Sequence, residues 1–322
     1  MLDFMKNKLA RVYTIEAPCK INLFLRIGKK RPDGFHNLES IFAPLALSDT
    51  LRFECNGQEG ESVLSINHEV AGGVAGPEIM PENNLVLKAV SLFRERAGFS
   101  HALRIRLDKR IPVGAGLGGG SSDAAATLLA LNMLADQALA MGQLAEMAAI
   151  LGSDVPFFLT GGAAFASGRG ERLEPVKTPG GWVLLVKPPF SSDTAGAYRL
   201  LDEAREQVQA ETAEEAGPSK AALLKALAED PVNWRFHNDF LPVFLKRKGA
   251  EAAAYKDILE SLKKLGASFA GLSGSGSCCF GIFPTKEAAE KALKAEKQLS
   301  DGKNYLNLTF FLAQKVNTIL EY

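Results

Sequence analysis

The chain of 322 residues is poor in cysteine and histidine and carries no net charge, and each shortage removes a class of function. Its four cysteines, Cys19, Cys55, Cys278 and Cys279, form no CxxC pair, and its four histidines, His36, His68, His101 and His237, are scattered without an HExxH. Neither a zinc site nor a disulfide framework is written in that spacing, and Cys278 and Cys279 read as small apolar residues of a strand. Lysine plus arginine (37) equals aspartate plus glutamate (37). Without a net basic field there is nothing to hold a long polyanion, so nucleic acid is not expected as a partner, although a local patch can still bind small phosphates. No apolar run reaches ten residues, far short of the ~20 that span a bilayer. Met1 to Lys20 also lacks the apolar centre of a signal peptide, so no membrane partner and a cytoplasmic location are expected.

What is present is an ordinary globular composition, 47% hydrophobic and 23% charged, with 30 glycines and 15 prolines. At roughly 150 residues per domain the length predicts about two domains. From Ala17 to Ile27 the residues alternate, placing Lys20, Asn22, Phe24 and Arg26 on one face and apolar residues on the other, which predicts a half-buried strand. Further strands are expected around 50–55, 62–67 and 103–107, and helices around 85–96, 121–135 and 143–151. Strands come first and helices follow, which favours an α+β architecture. The interruption "PVKTPGG", Pro175 to Gly181, precedes the apolar strand 182–186 and marks the expected boundary between domains 1–175 and 176–322. The acidic stretch Asp202 to Glu215 reads as a solvated helix or an insertion and is assigned no chemistry. Beyond it, helices are expected at 220–229, 252–265 and 286–296, and strands at 278–283 and 306–312.

The strongest chemical signal is "PVGAGLGGGSSDAAATLLALN", Pro112 to Asn132, in which five glycines in seven residues run into Ser121, Ser122 and an Ala/Leu-rich helix. Glycine lets successive amide groups approach an anion, and the helix start adds unpaired N–H groups and the positive end of its dipole. A phosphate site is the functional reading; a flexible, serine-capped loop is the bland one. Gly114, Gly116 and Gly119 also satisfy GxGxxG, but Asp136, at the distance a ribose-binding acid would have, follows a helical run and not a second strand, so a dinucleotide fold is rejected. A Walker A loop fails for want of Gly-Lys-Ser/Thr, and the protein-kinase motifs HRD and DFG are absent.

Smaller signals lie elsewhere. Lys20 and Asn22 sit ~6.6 Å apart on one strand face, close enough to reach one ligand, or else form a solvated face. "RPDGFH", Arg31 to His36, turns at Asp33-Gly34 and presents Phe35 and His36, either as packing residues or as a ring and an edge for a nucleobase. Asp154 in "LGSDVPFFL", just before Val155-Pro156, reads as a helix cap.

Taken together, "PVGAGLGGGSSDAA" and a second glycine loop, "GLSGSGSCCFGIF" from Gly271, resemble the GHMP small-molecule kinases. The N-terminal segment "APCKINLFLRIGKKRPDGFHNLES" resembles the branch of that family whose substrate is a cytidine diphosphate derivative, 4-diphosphocytidyl-2-C-methyl-D-erythritol, in non-mevalonate isoprenoid biosynthesis. The resemblance implies an N-terminal domain like the second domain of ribosomal protein S5, a ferredoxin-like C-terminal domain, and a site between them. It implies an ATP-dependent phosphotransferase acting on the C2 hydroxyl, with Lys20 and Asp154 catalytic. Asn22, Phe35, His36, Thr194 and Tyr198 match substrate-binding positions, with Phe190 a competitor for the stacking role of Tyr198. Asn84 (or Asn83), Lys109, Pro112, Gly114, Gly116, Leu117, Gly118, Gly119, Gly120, Ser121, Ser122, Gly274 and Ser275 match positions around ATP. Magnesium is implied with the nucleotide, its ligands unassigned, and the oligomeric state is open. The competing readings are another GHMP kinase, acting on mevalonate, homoserine or a sugar, and a non-catalytic nucleotide sensor of the same fold.

Overall fold

The computed structural model describes residues 11–68, 83–207, 217–299 and 306–311, so residues 208–215 of the acidic stretch and Leu312 lie outside the described residues. Two long strands organise the first half. β1 (Arg11–Lys30) and β2 (His36–Glu59) pair antiparallel from Arg11↔Cys55 to Lys30↔His36, with register shifts where the ladder passes Pro18/Lys20 and Asn22/Phe24. β2 is the hub of the sheet. On its other edge it takes β4 (His101–Lys109) along its second half and β5 (Ala164–Ser167) at Ser40–Phe42. β3 (Val63–His68) then adds parallel to β4, and β6 (Arg172–Pro175) antiparallel to β5.

Three helices cover this sheet: α1 (Leu85–Ala97), α2 (Gly119–Leu134) and α3 (Met141–Leu151). α2 is apolar nearly all round, with Ala124, Ala125, Ala126, Leu128, Ala130 and Leu131 buried, as a helix with neighbours on every side must be. It packs on α1, α3, β1 and a short 3-10 turn, Val155–Leu159. The glycine-rich N-terminus of α2 is thereby held rigid.

In the second half β7 (Trp182–Lys187), β8 (Phe269–Leu272), β9 (Cys279–Phe283) and β10 (Leu306–Phe311) form an antiparallel sheet in the order β10-β7-β9-β8. α4 (Thr194–Gln207), α5 (Lys220–Leu227), α6 (Phe240–Lys246) and α7 (Ala250–Lys264) lie between β7 and β8 in the chain, and α8 (Lys286–Leu299) between β9 and β10. Fourth, first, third, second is the ferredoxin-like strand order, and the whole is α+β as the sequence implies. Among the described residues no helix is long and apolar enough to cross a membrane.

Two sequence expectations are corrected here. β1 is not half-buried: Lys20 and Asn22 are each 3% exposed and Phe24 is fully buried. α2 covers one side, and Phe236 and His237 of the second half meet the Phe24 ring on the other. The strand expected at 50–55 is the second half of β2, whose first half lacks alternation because Ser40–Pro44 is enclosed on both faces.

Candidate active site

A cleft of about 430 Å³ opens where the two halves meet, and its floor is the glycine loop. Gly114, Gly116 and Gly118 have φ of +66°, +72° and +73°, an alternation that turns successive amides in one direction. The carbonyls point away and are all engaged: Gly114 O accepts from Ser192 N (3.1 Å), Ala115 O from Cys278 N (3.1 Å), Gly116 O from Ser273 Oγ (2.9 Å) and Leu117 O from Lys20 N (2.9 Å). The loop is thus stitched to the second glycine loop and to β1, and a Cβ on Gly116 would collide with the Ser273 carbonyl. α2 begins at Gly119 with Gly118 as its cap residue, so the N–H groups of the first turn have no intrahelical partners. Such a cradle suits phosphate.

Above it stands a buried polar chain. Lys20 Nζ donates to Asn22 Oδ1 (2.7 Å), Asn22 Nδ2 donates to Ser40 Oγ (2.9 Å), and Ser40 Oγ donates to Phe24 O (2.6 Å). The ammonium also lies 3.4 Å from Asp154 Oδ2 and 5.0 Å from the centroid of Phe42. Asp154 occupies the N-cap position of the 3-10 turn, yet its side chain makes no capping hydrogen bond, which leaves the carboxylate on the cleft wall. Burial, then the Asp154 charge, push the Tyr198 phenol up to about 12, so it stays protonated beside that carboxylate.

At the other end Lys109 is shared by Asp49 and Asp123, with Nζ 2.8 Å from Asp123 Oδ2. Burial works against the ammonium, but the two carboxylates hold it above its ordinary range. Burial outweighs Lys109 at Asp123 and raises that carboxyl to about 7. Asp49 is further tied by its Oδ1 to Ile111 N (2.8 Å) and Arg110 N (2.5 Å), clamping the entrance to the glycine loop. Asp123 Oδ1 and Ser122 Oγ are buried without a partner. The sequence reading missed both aspartates: Asp123 adjoins the serines already singled out, and Asp49 follows an apolar run with nothing to mark it.

Lys20, Asn22, Asp154, Thr194, Tyr198, Gly274 and Ser275 all line the cleft, with Pro112 to Ser121 as its floor, and Thr194 Oγ1 lies 2.9 Å from Ser275 Oγ. Asn83 and Asn84 both reach it, but Asn84 Oδ1 caps α1 by accepting from Val86 N (2.9 Å). Ser122, Phe35 and His36 stand outside the lining. Phe35 is 50% exposed with the Arg169 guanidinium 4.9 Å from its ring, and His36 lies behind Tyr198, their rings stacked at 5.0 Å. Phe190 packs against Tyr255 and is not in this cleft; Tyr198, backed by Phe240, is an aromatic that the second half brings to it.

The acidic stretch needs a further correction. Its first residue, Asp202, is on α4, 2.8 Å by Oδ1 from His36 Nε2 and 3.5 Å by Oδ2 from Lys30 Nζ. Thr194, Tyr198 and Asp202 recur at four-residue spacing and so share one helix face; that period was the available signal. Asp136 ends beyond α2 in an ion pair with Arg11 (2.7 Å), as the rejection of a dinucleotide site requires.

Two glycine loops clamped together beneath a lysine–aspartate pair, on an S5-like sheet joined to a ferredoxin-like one, define the class of GHMP kinases. The family model "GHMP kinases N terminal domain" matches residues 84–162 and "GHMP kinases C terminal" residues 221–298. Similarity to whole chains is closer: 4-diphosphocytidyl-2-C-methyl-D-erythritol kinase of Anaeromyxobacter dehalogenans is 41% identical over 89% of this chain and 85% of its own. A crystal structure of 4-(cytidine 5'-diphospho)-2C-methyl-D-erythritol kinase superposes with a TM-score of 0.70 at 33% identity, covering 94% of this chain and 99% of that one. A mevalonate kinase of L. major reaches 0.73 over 98% of this chain and 99% of its own, but at 15% identity, a likeness of fold alone. The chain belongs to the 4-diphosphocytidyl-2-C-methyl-D-erythritol kinase family.

Proposed function

We propose that this cleft transfers the γ-phosphoryl of ATP to the C2 hydroxyl of 4-diphosphocytidyl-2-C-methyl-D-erythritol, with Asp154 as general base. As a member of its family the chain is a phosphotransferase with an alcohol acceptor. The observation that carries the site assignment is the Lys20–Asp154 pair, 3.4 Å apart, directly above the glycine cradle. A carboxylate without a capping duty is free to accept the hydroxyl proton as the oxygen attacks. The Lys20 ammonium lies where charge spreads over the phosphoryl group in flight.

Asn22 acts as a positioning residue, since its amide oxygen is engaged by Lys20 and its nitrogen by Ser40. One N–H of that amide is left over for the substrate-holding role its motif implies. Gly114 to Ser121 hold the triphosphate, Gly274 and Ser275 close the cradle from the second half, and Asn83, Asn84 and Lys109 face the nucleoside. Phe35 and Tyr198 bracket the cytosine, with His36 at its edge. The two domains divide between β6 and β7, at 175–182.

Magnesium would come with the nucleotide and neutralise its clustered charge. Among the described residues no three His, Cys, Asp or Glu side chains gather as a metal site. The ion would be held mainly by phosphate oxygens and waters, for which one protein oxygen suffices; the unpartnered Asp123 Oδ1 on the cleft wall fits that need.

The test is ADP release from ATP with the cytidyl substrate, mevalonate, homoserine and galactose in parallel. Turnover confined to the cytidyl compound is expected; turnover with any of the others in its place refutes the substrate assignment.

A further inference from the structure

His36 has its resources divided by the fold. Its ring face is covered by Tyr198, with centroids 5.0 Å apart and planes 22° from parallel. Its Nε2 is 2.8 Å from Asp202 Oδ1. Its Nδ1 makes no hydrogen bond in the structure, and the residue as a whole is 7% exposed, so the ring cannot swing to find another partner. An ionised carboxylate only accepts hydrogen bonds, and a neutral imidazole carries one N–H and one bare nitrogen. In the neutral ring the contact to Asp202 therefore places the proton on Nε2 and leaves Nδ1 as an acceptor.

Asp202 is itself held. Lys30 lies 3.5 Å from its other oxygen, and α4 is pinned to β1 one turn later by Arg205, which donates to Ile27 O (2.6 Å) and Gly28 O (3.1 Å) and pairs with Asp239 (3.2 Å). At the other end of the same helix face Thr194 meets Ser275. A helix of the second half thus reaches back across the cleft and sets the state of a histidine on β2 of the first.

We infer that Asp202 is a specificity-positioning residue: it locks His36 in the tautomer whose Nδ1 accepts a hydrogen bond, and so selects a pyrimidine that offers an amino group. Cytosine presents an exocyclic amine at that edge. Uracil presents a carbonyl oxygen, and two acceptors facing each other across a desolvated edge disfavour the complex. The inference rests on the cytidyl reading of the site and adds to it the group that makes the reading selective.

The experiment measures dissociation constants for cytidine diphosphate and uridine diphosphate, with the ATP site filled by a non-hydrolysable ATP analogue, in the parent and in Asp202→Asn and Asp202→Ala. The histidine ring nitrogens are followed by ¹⁵N NMR, the His36 signals being assigned by their loss in His36→Ala. Asparagine can accept or donate, so it releases the lock with little change of shape. The parent is expected to show a protonated Nε2 and bare Nδ1 and to prefer the cytidine compound. In Asp202→Asn that preference falls roughly tenfold, the scale of one hydrogen bond, and uridine diphosphate binds more tightly than it does to the parent. A purely structural role for Asp202 has no means of producing that gain. Affinity for the ATP analogue is unchanged and reports that the variants are folded. A parent His36 protonated on Nδ1 overturns the inference without any variant. A parent that prefers cytidine, with variants that keep the preference, overturns it alone; a parent that binds both alike overturns the cytidyl reading and this inference with it.

Discussion

The two ends proposed for the ligands are built of different materials. The phosphate end is backbone: three left-handed glycines, a helix start, and carbonyls tied back to Ser192, Cys278, Ser273 and Lys20. The proposed base end is side chain: Phe35, His36, Tyr198 and Asp202, drawn from a β-turn, a strand and a helix, with His36 and Asp202 separated by 166 positions in the chain. Backbone recognition needs a local run of permissive residues and tolerates almost no change within it. Side-chain recognition is assembled from distant parts, each of which can be altered separately with a graded effect. The proposed reacting pair, Lys20 and Asp154, stands between the two.

Removing the base should have the largest effect. Asp154→Asn keeps the shape but cannot take the hydroxyl proton, and kcat is expected to fall by ~10²–10⁴-fold with ATP affinity little changed. Steady-state kinetics and equilibrium binding of an ATP analogue check both halves; a kcat within about threefold of the parent would take Asp154 out of this role.

The backbone end is tested by Gly118→Val. The position has φ +73°, and an added Cβ would lie 3.0 Å from the Phe158 ring and 3.2 Å from the Lys20 side chain. A strain of ~1–3 kcal/mol implies a loss of ATP-analogue affinity of roughly 5–150-fold. Because the new group presses on Lys20, kcat is expected to fall as well. Unaltered nucleotide affinity in a folded variant would mean that the glycines serve only as a turn.

At the side-chain end Phe35→Ala is expected to weaken the cytidyl substrate by as much, roughly 5–150-fold, from the ~1–3 kcal/mol of one base stacked on one aromatic. ATP binding should be nearly intact, in contrast with the glycine variant. His36→Ala is expected to lower discrimination between cytidyl and uridyl analogues more than it lowers stacking affinity. Isothermal titration with both analogues and with ATP separates the cases, and variants that bind the cytidyl compound like the parent would abolish the clamp.

The smallest effect concerns stability. In the folded chain the Asp123 carboxyl is raised by burial to about 7, against about 4 when unfolded. The folded state therefore binds that proton more tightly, so the stabilisation it contributes is complete below about pH 4 and is lost as the pH rises through about 7. Asp123→Asn lacks this dependence. The parent's Tm, measured at pH 5 and pH 8, should fall relative to that of the variant; a Tm difference independent of pH would place the proton on another group.

How far each feature could be read from the chain follows the same division. The phosphate loop is legible because its chemistry is contiguous: Gly114 to Ser122 carry the conformational freedom, the cap and the helix start within nine residues. The period of α1 and α7 is legible for a similar reason, since a helix repeats within its own length. β5, β6, β8 and α6 escape notice because each is short and takes its identity from neighbours far away in the chain. Asp49 and Asp202 escape because a carboxylate next to an apolar run or in an acidic helix looks like any other until its partner arrives.

By itself, then, the sequence determined the α+β class, the glycine loops and the lysine and aspartate that the GHMP resemblance marks, since these rest on local conformational preference and contiguous motif. The tertiary structure alone decided that Lys20 and Asn22 are buried, that the Asn22 amide meets Lys20 and Ser40, that Tyr198 and not Phe190 enters the cleft, and that Asp202 reaches His36. Each of those depends on which groups lose water and what replaces it, and for a polar side chain that is settled only when two distant segments close on it.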